Sequence, residues 1–413
     1  MNAELKVVKE LGKGRVGYIN LRHKAGNENE SGTKETTVEV PSTLIYTRYG
    51  RVPHMTEDVE RFLPTRCKQM IRRFRLCDLF EESVSQSLKA SNKVYKKFTN
   101  SKESDMLFCS VQDTIGFSSV DFSKYAEEKS ISVWTQSGRR KVTSNGFMEA
   151  LSMSGVEMAE CLCDITPVGA GDKRCKKSVD RTLKHLDHCI QISQENPEKY
   201  NFALFGAIVG GDNVKERRRC AVETSKRDVQ GFVLEGFDKI GDDFNEILQT
   251  TLEYLPPDKP KIMLGSFNPE RTLEAILNGV DIVDNSYVYE LTERGCAAVF
   301  TYRTKKMKTH SDQDPVTNVL ENGPQSTLEI ELSQKRYKDD FKPILSTCNC
   351  MTCLKYTRAY LNHLLVTNEM LAQVLLMMHN MHHFGKFLEE IRTAMSEATL
   401  DSLKDLLVST SVS

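Results

Sequence analysis

The stretch Cys348-Asn349-Cys350-Met351-Thr352-Cys353 packs three thiols into six residues, and a long apolar run then delivers His379. Three thiols and an imidazole are the donor set that a structural zinc ion takes in a closed tetrahedron. A segment held in this way folds without a large core of its own. The alternative is a group of buried thiols beside a satisfied histidine, and the crowding of the cysteines argues against it. Leu361, Leu364, Leu365, Leu371, Leu375 and Met378 recur at helical spacing, which predicts one helix from Arg358 to Met378. The ion would then pin the loop before that helix to its far end. His382 and His383 are near enough to compete with His379, and spacing does not choose among the three.

A chain of 413 residues is long enough for one large α/β domain with an appendage, or for two ordinary domains. Lys and Arg number 56 against 57 Asp and Glu. That balance excludes a binder that works by bulk positive charge, so any RNA contact must come from local patches. Twelve cysteines without regular disulfide spacing, and no apolar signal segment at the amino end, suggest a reducing, cytoplasmic setting. No uninterrupted apolar run reaches the length of a bilayer span.

Along the chain, residues 1–60 read as antiparallel strands and loops, with a polar hairpin tip from Gly26 to Thr36. A short strand, Leu44 to Thr47, is set off from Val38-Glu39-Val40 by Pro41. From Met55 to Leu88 the chain is basic in the middle (Lys68, Arg72, Arg73, Arg75), as expected of helices with a solvated polar face. Short apolar runs then alternate with stretches of helical period. The runs are Met106 to Val111, Met158 to Ile165, Phe202 to Val209, Gly231 to Leu234, Lys261 to Leu264 and Asp281 to Val283. The helical stretches include Val179 to Ile192, Asn213 to Thr224, Asp243 to Tyr254 and Pro269 to Leu277. Continuous apolar strands separated by helices describe a parallel sheet covered on both faces, and this many units favours a closed (β/α)8 barrel over an open sheet.

The expected division is a barrel with N-terminal strands over 1–335 and a zinc-binding subdomain with C-terminal helices over 336–413. A polar surface insertion, Thr304 to Glu321, carries Lys305, Lys306 and Lys308. A strand from Thr327 to Leu332 follows it, and helices are expected at Phe387 to Met395 and Leu400 to Leu407.

In such a barrel the reactive residues sit where strands end and loops begin. Acids stand at three of these ends: Asp113, Asp164 and Asp284. Two carboxylates facing one pocket could serve as nucleophile and general acid/base at a glycosidic carbon. An Asp at the start of a helix is also a common cap, and from spacing alone capping is the commoner role. A barrel enzyme of unrelated chemistry centred on Asp164 has only that acid in its favour.

At the cysteine-rich segment the chain resembles a known family. Cys-x-Cys-x-x-Cys, Arg358-Ala359-Tyr360-Leu361-Asn362-His363-Leu364, Asn368-Glu369 and His379-Asn380 look like the carboxyl-terminal subdomain of tRNA-guanine transglycosylases, the queuine tRNA-ribosyltransferases. Weaker matches run through Gly206-Ala207-Ile208-Val209-Gly210-Gly211 and Asn278-Gly279-Val280-Asp281-Ile282-Val283-Asp284. The resemblance implies a (β/α)8 barrel with the zinc subdomain inserted near its end. It implies one structural zinc ion on Cys348, Cys350, Cys353 and His379, with His379 preferred over His382 and His383. It further implies exchange of guanine at the tRNA wobble position for a deazaguanine base, queuine in eukaryotes. In that chemistry one Asp attacks the ribose anomeric carbon and a second handles the proton. The nucleophile falls on Asp284 and the acid/base group on Asp113.

The pocket around those two acids departs from the family. Its Asp-Ser-Gly-Gly-Phe-Gln becomes Asp113-Thr114-Ile115-Gly116-Phe117-Ser118, and its Asp-Glu-Cys-Thr-Pro becomes Cys163-Asp164-Ile165-Thr166-Pro167. The carboxylate that binds the base is thereby replaced by Cys163, and Asp164 on a strand would face the other way. Val209 replaces the base-binding glutamine. After Asp284, Asn285-Ser286-Tyr287-Val288-Tyr289-Glu290 replaces Cys-Val-Leu-Pro-Thr-Arg. Each missing buried hydrogen bond costs about 1 to 3 kcal/mol, so losing two such partners weakens base binding by orders of magnitude.

The expectation is therefore a non-catalytic member that pairs with a catalytic subunit of the same fold. It would bury an apolar face beside the zinc helix and offer Lys355 and Arg358, with Arg217, Arg218 and Arg219 as further candidates, to the tRNA backbone. For the arginine run a solvated helix face is the commoner reading. The resemblance also suggests cytoplasm and peripheral attachment to the mitochondrial outer membrane. The competing expectation, resting on the retained Asp113 and Asp284, is a transglycosylase active alone.

Overall fold

The computed structural model describes residues 2–24, 33–63, 71–91, 95–102, 105–113, 115, 125, 127–302 and 328–411. Lys68, the 304–321 insertion and most of the 26–36 tip lie outside them. The chain divides into two compact units. The first comprises Met1–Arg51, Met70–Ser266 and Glu274–Asn285; the second comprises Val52–Gln69, Phe267–Leu273 and Ser286–Ser413.

In the first unit β1 (Asn2–Leu11), β2 (Gly14–Lys24) and β3 (Thr33–Val40) form an antiparallel sheet. Eight further strands close into a parallel barrel. They are β4 (Ser42–Tyr46), β5 (Ile71–Arg75), β6 (Leu107–Ser110), β9 (Met158–Glu160), β10 (Ala203–Ile208), β11 (Gly231–Leu234), β12 (Lys261–Met263) and β13 (Ile282–Asp284). Closure is made by β13 on β4, with Ile282 opposite Ser42. A hairpin of β7 (Ile131–Thr135) and β8 (Gly138–Val142) interrupts the βα rhythm between β6 and β9. The expected (β/α)8 class is what forms, because every one of these strands is buried along its length.

The antiparallel sheet plugs the amino-terminal end of the barrel. Leu5, Ile19, Leu21, Val38 and Val40 pack in one cluster with Ile71, Phe108, Met158, Ala203, Phe205 and Ile282, which stand at or near the starts of barrel strands. Arg15 fastens this plug. Its Nε and Nη2 donate to the two oxygens of buried Asp281 at 2.9 and 2.7 Å, and Asp281 also accepts the Lys261 backbone N–H at 2.8 Å.

Two strands differ from the sequence reading. The basic segment around Arg72, Arg73 and Arg75 is not a solvated helix: all five residues of β5 are buried in the barrel wall. Its arginines are tolerated because each has an acid. Arg72 pairs with Asp105 at 3.1 Å, Arg73 with Asp284 and Arg75 with Asp78 and Asp113. The strand at Leu44 belongs to the barrel rather than to the antiparallel sheet, pairing in parallel with both β13 and β5.

The second unit carries β14 (Cys296–Ala298) paired with β15 (Glu329–Glu331) and a group of helices. The single helix expected from Arg358 to Met378 is two helices, Arg358–Val366 and Leu371–Glu397. Asn368 stands between them at φ +57°, the left-handed conformation that ends helices and that Asn tolerates better than most residues. Phe387 to Met395 continues the second helix rather than forming its own. Leu400–Ser411 forms the final one. Leu361, Leu364, Ala372, Leu375 and Leu376 share a core with Ala297, Ile330, Leu332, Ile344 and the buried Cys350 and Cys353. Among the described residues no helix is long and apolar enough to cross a membrane.

Candidate functional site

In the second unit the structure brings Cys348, Cys350, Cys353 and His379 together, with one donor atom from each lying within 4.8 Å of all the others. The local fold follows from the spacing. Cys350 caps the short helix Met351–Lys355, its sulfur accepting the Cys353 N–H at 3.3 Å, and one helical turn then brings the Cys353 thiol back beside it. His379 reaches them from the helix Leu371–Glu397, its Nδ1 3.8, 3.6 and 3.3 Å from the sulfurs of Cys348, Cys350 and Cys353. Its other nitrogen, Nε2, lies 2.8 Å from the Ala298 carbonyl. A carbonyl accepts only, so Nε2 carries a proton and Nδ1 is the nitrogen turned to the thiols.

Asn380 secures the same helix by accepting the Ala298 N–H at 2.9 Å and donating to the Cys296 carbonyl and the Thr292 hydroxyl. Of the three histidines that spacing leaves open, His379 is the one that the described residues bring into the cluster with the three sulfurs. His383 sits one turn on from His379 and gives its Nε2 to the Phe300 carbonyl at 3.0 Å. His382 is not part of the four-donor cluster. The four residues could hold a metal ion, and their donors fit a closed site without an open position.

In the first unit the two candidate carboxylates are present and both are engaged. Arg73 and Arg75, two apart on β5, present their side chains on one face of the strand. Asp284, the last residue of β13, meets Nη1 of Arg73, with both side chains wholly buried. Arg73 also donates from Nε to the Ser110 hydroxyl and from Nη2 to the Gln112 carbonyl, each at 2.8 Å. Burial works against the Arg73 charge, but Asp284 and then Asp113 outweigh it and hold the guanidinium protonated above its ordinary range. Asp284 further accepts the Gly265 N–H at 3.3 Å. Asp113 meets Nη1 of Arg75, accepts the Tyr46 hydroxyl at 3.2 Å and accepts the Ile115 N–H at 3.2 Å.

The expected base-binding replacements are buried as well. Cys163 donates its thiol to Glu160 at 3.4 Å, and the apolar Val209 gives only its backbone N–H, to the Cys220 sulfur at 3.4 Å. Asp164 faces away, to Arg174 and Arg181 of the helix Asp172–Glu195 at 2.5 and 3.1 Å, which makes it a strand-to-helix tether. Arg73 and Arg75 were missed by the sequence reading. The signal was there in Ile71-Arg72-Arg73-Phe74-Arg75, a run with strand composition at its apolar positions, but charge density argued for a surface.

Of the candidate RNA contacts, Arg217 is excluded. It is buried, donates to the Gly211 and Ile208 carbonyls at 2.7 and 2.9 Å and stacks over Phe237; burial lowers it to about 10. Arg219 is paired with Glu216 and Asp180. Arg218 and Lys355 are exposed, and Arg358 is braced by Asp340 at 3.0 Å.

The family model for queuine tRNA-ribosyltransferase matches residues 12–411. A chicken (Gallus gallus) protein is 37% identical over 396 residues, covering 89% of this chain and 90% of its own length. Relatives from Xenopus tropicalis and Homo sapiens are each 33% identical, covering 98% and 92% of this chain and 98% and 95% of their own lengths. All three are named queuine tRNA-ribosyltransferase accessory subunit 2. With the closed barrel and the Cys/His cluster in place, the chain belongs to the queuine tRNA-ribosyltransferase family.

Proposed function

We propose that this chain is the non-catalytic subunit of a heterodimeric queuine tRNA-ribosyltransferase, supporting base exchange by a catalytic subunit of the same fold through dimerisation and tRNA positioning. The observation that carries this reading is the engagement of Asp284 by Arg73. A nucleophilic carboxylate must be able to turn toward an anomeric carbon, and this one is buried and tethered through Oδ2 by a guanidinium and the Gly265 N–H inside the barrel wall. Asp113 is held in the same way by Arg75. Cys163 and Val209 supply no carboxylate or amide edge for a purine.

The second unit offers what a partner needs. Leu354, Val366 and Met370 stand exposed at 70, 63 and 85% on and between the helices that follow the cysteines. Large exposed apolar side chains of this kind are typical of an interface core. A zinc ion held by Cys348, Cys350, Cys353 and His379 would play a structural part, fixing the helices that present those side chains. Lys355 and Arg218 remain as exposed groups for an RNA backbone. A cytoplasmic location with peripheral attachment to mitochondria rests on the family resemblance, and fractionation tests it.

The test is guanine-to-queuine exchange by the purified chain, alone and with a catalytic subunit. Exchange is expected only with the partner and is expected to survive the paired substitution Arg73→Leu with Asp284→Leu in this chain, which removes the carboxylate without stranding a buried charge. The retained pair Asp113 and Asp284 supports the alternative of a transglycosylase working alone. Turnover by the isolated chain, abolished by that substitution, would establish the alternative and overturn the proposal.

A further inference from the structure

A second cluster of donors lies inside the first unit, apart from the two aspartates. Glu160 is the last residue of β9, Cys163 follows three positions later, and Glu235 comes directly after β11. The two strands flank β10 on either side, so the carboxylates are brought in from opposite edges of one strand. One ligand atom from each of Glu160, Cys163 and Glu235 lies within 4.8 Å of the others, and all three residues are at most 1% exposed.

The partners of these groups are unequal. Glu160 accepts the Val111 N–H at 2.8 Å and the Cys163 thiol at 3.4 Å. Among the described residues no backbone N–H, hydroxyl or cationic donor reaches either side-chain oxygen of Glu235, and its carboxyl faces that of Glu160, the one group near enough to share a hydrogen bond with it. A buried carboxylate without donors is costly, and groups of this kind are paired or bind metals. The nearby cations are already committed: Arg73 to Asp284, Ser110 and Gln112, and Arg217 to two carbonyls.

We propose that Glu160, Cys163 and Glu235 form an interior site for a divalent cation of the zinc class. Two carboxylate oxygens and one sulfur match the borderline softness of that ion. Where the family's base-binding carboxylate would accept a hydrogen bond from a purine, the thiol at Cys163 provides a metal ligand instead. Binding as thiolate and two carboxylates leaves the site with one net negative charge, facing the Arg73 side of the barrel. A single proton shared by the two carboxyl groups is the competing arrangement. It would place one O–H between them and leave the other oxygen of Glu235 unserved.

The test is the metal content of the full-length chain after equilibration with Zn2+ or Co2+ and removal of loose ion, read by mass spectrometry. One equivalent beyond that held by the Cys348, Cys350, Cys353 and His379 cluster is expected. Cys163→Ser and Glu235→Gln should each lose this equivalent and keep the other, and Cys350→Ser should do the reverse. In the cobalt form, the wild-type-minus-Cys163→Ser spectrum should contain a thiolate-to-cobalt charge-transfer band. A wild-type protein with no equivalent beyond the Cys/His one overturns the proposal in favour of the shared proton, and this reading needs no variant to fold. An additional equivalent that survives both Cys163→Ser and Glu235→Gln overturns it too, by placing the ion elsewhere.

Discussion

Arg73 and Asp284 form an ion pair with no solvent exposure on either side chain, although 211 residues of sequence separate them. The pair joins β5 to the end of β13, the strand on the far side of β4.

Breaking that pair from one side should be costly, because it strands a buried charge. Arg73→Leu is expected to destabilise the chain by about 3 to 5 kcal/mol, measured by denaturant unfolding. The double variant Arg73→Leu with Asp284→Leu should recover most of the loss. Arg73→Leu should not create base exchange, since Cys163 and Val209 still offer the purine no partners.

The metal cluster predicts a contrast between two histidines on one helix. His379→Ala should lose the metal and unfold the end of the second unit, detected by metal analysis and by proteolysis. His383→Ala should keep the metal, because its nitrogen serves the Phe300 carbonyl. Loss of a ligand should weaken metal affinity by more than the roughly 10- to 100-fold that outer partners cost. Cys350→Ser should follow His379→Ala and should also abolish pairing with the catalytic subunit.

His185 predicts an acid limit to stability in the first unit. It is buried, with Nδ1 2.9 Å from the Ser144 hydroxyl and Nε2 without a partner among the described residues. Burial lowers it from 6.5 to about 4. The folded state therefore resists a proton that the unfolded state takes up. Its contribution is complete above about pH 6.5 and is lost as pH falls toward 4, on the order of 3 kcal/mol in all. His185→Gln should flatten the fall in Tm over that interval.

The exposed apolar side chains predict a separation of stability from assembly. Met370→Asp and Val366→Asp should leave the unfolding midpoint of the isolated chain within the ~0.5 kcal/mol usual for surface changes. Each should weaken association with a catalytic subunit by about tenfold or more, measured by sedimentation or by titration calorimetry. Unchanged affinity in both variants would exclude these helices from the interface.

Much of the molecule was legible along the chain. Gly231 to Leu234 and Pro269 to Leu277 read with the boundaries they have in the structure, because an apolar run flanked by amphipathic periods needs no distant partner to be recognised. The crowded cysteines likewise announced a Cys/His cluster that could hold a metal. Local pattern misled where distant chemistry changed the meaning of a residue. Arg72, Arg73 and Arg75 looked like a solvated face and line the barrel wall instead, since the acids that neutralise them come from other parts of the sequence.

Sequence alone thus determined the βα rhythm, the three crowded thiols of the Cys/His cluster and the retained pair of aspartates, all set by residue type and near-neighbour spacing. The tertiary structure decided which histidine faces the thiols, through the Ala298 carbonyl behind its ring. It also decided that both aspartates are held by arginines. Those outcomes depend on which buried charges and dipoles meet in space, and a buried charge takes its partner from whatever part of the chain the fold brings beside it.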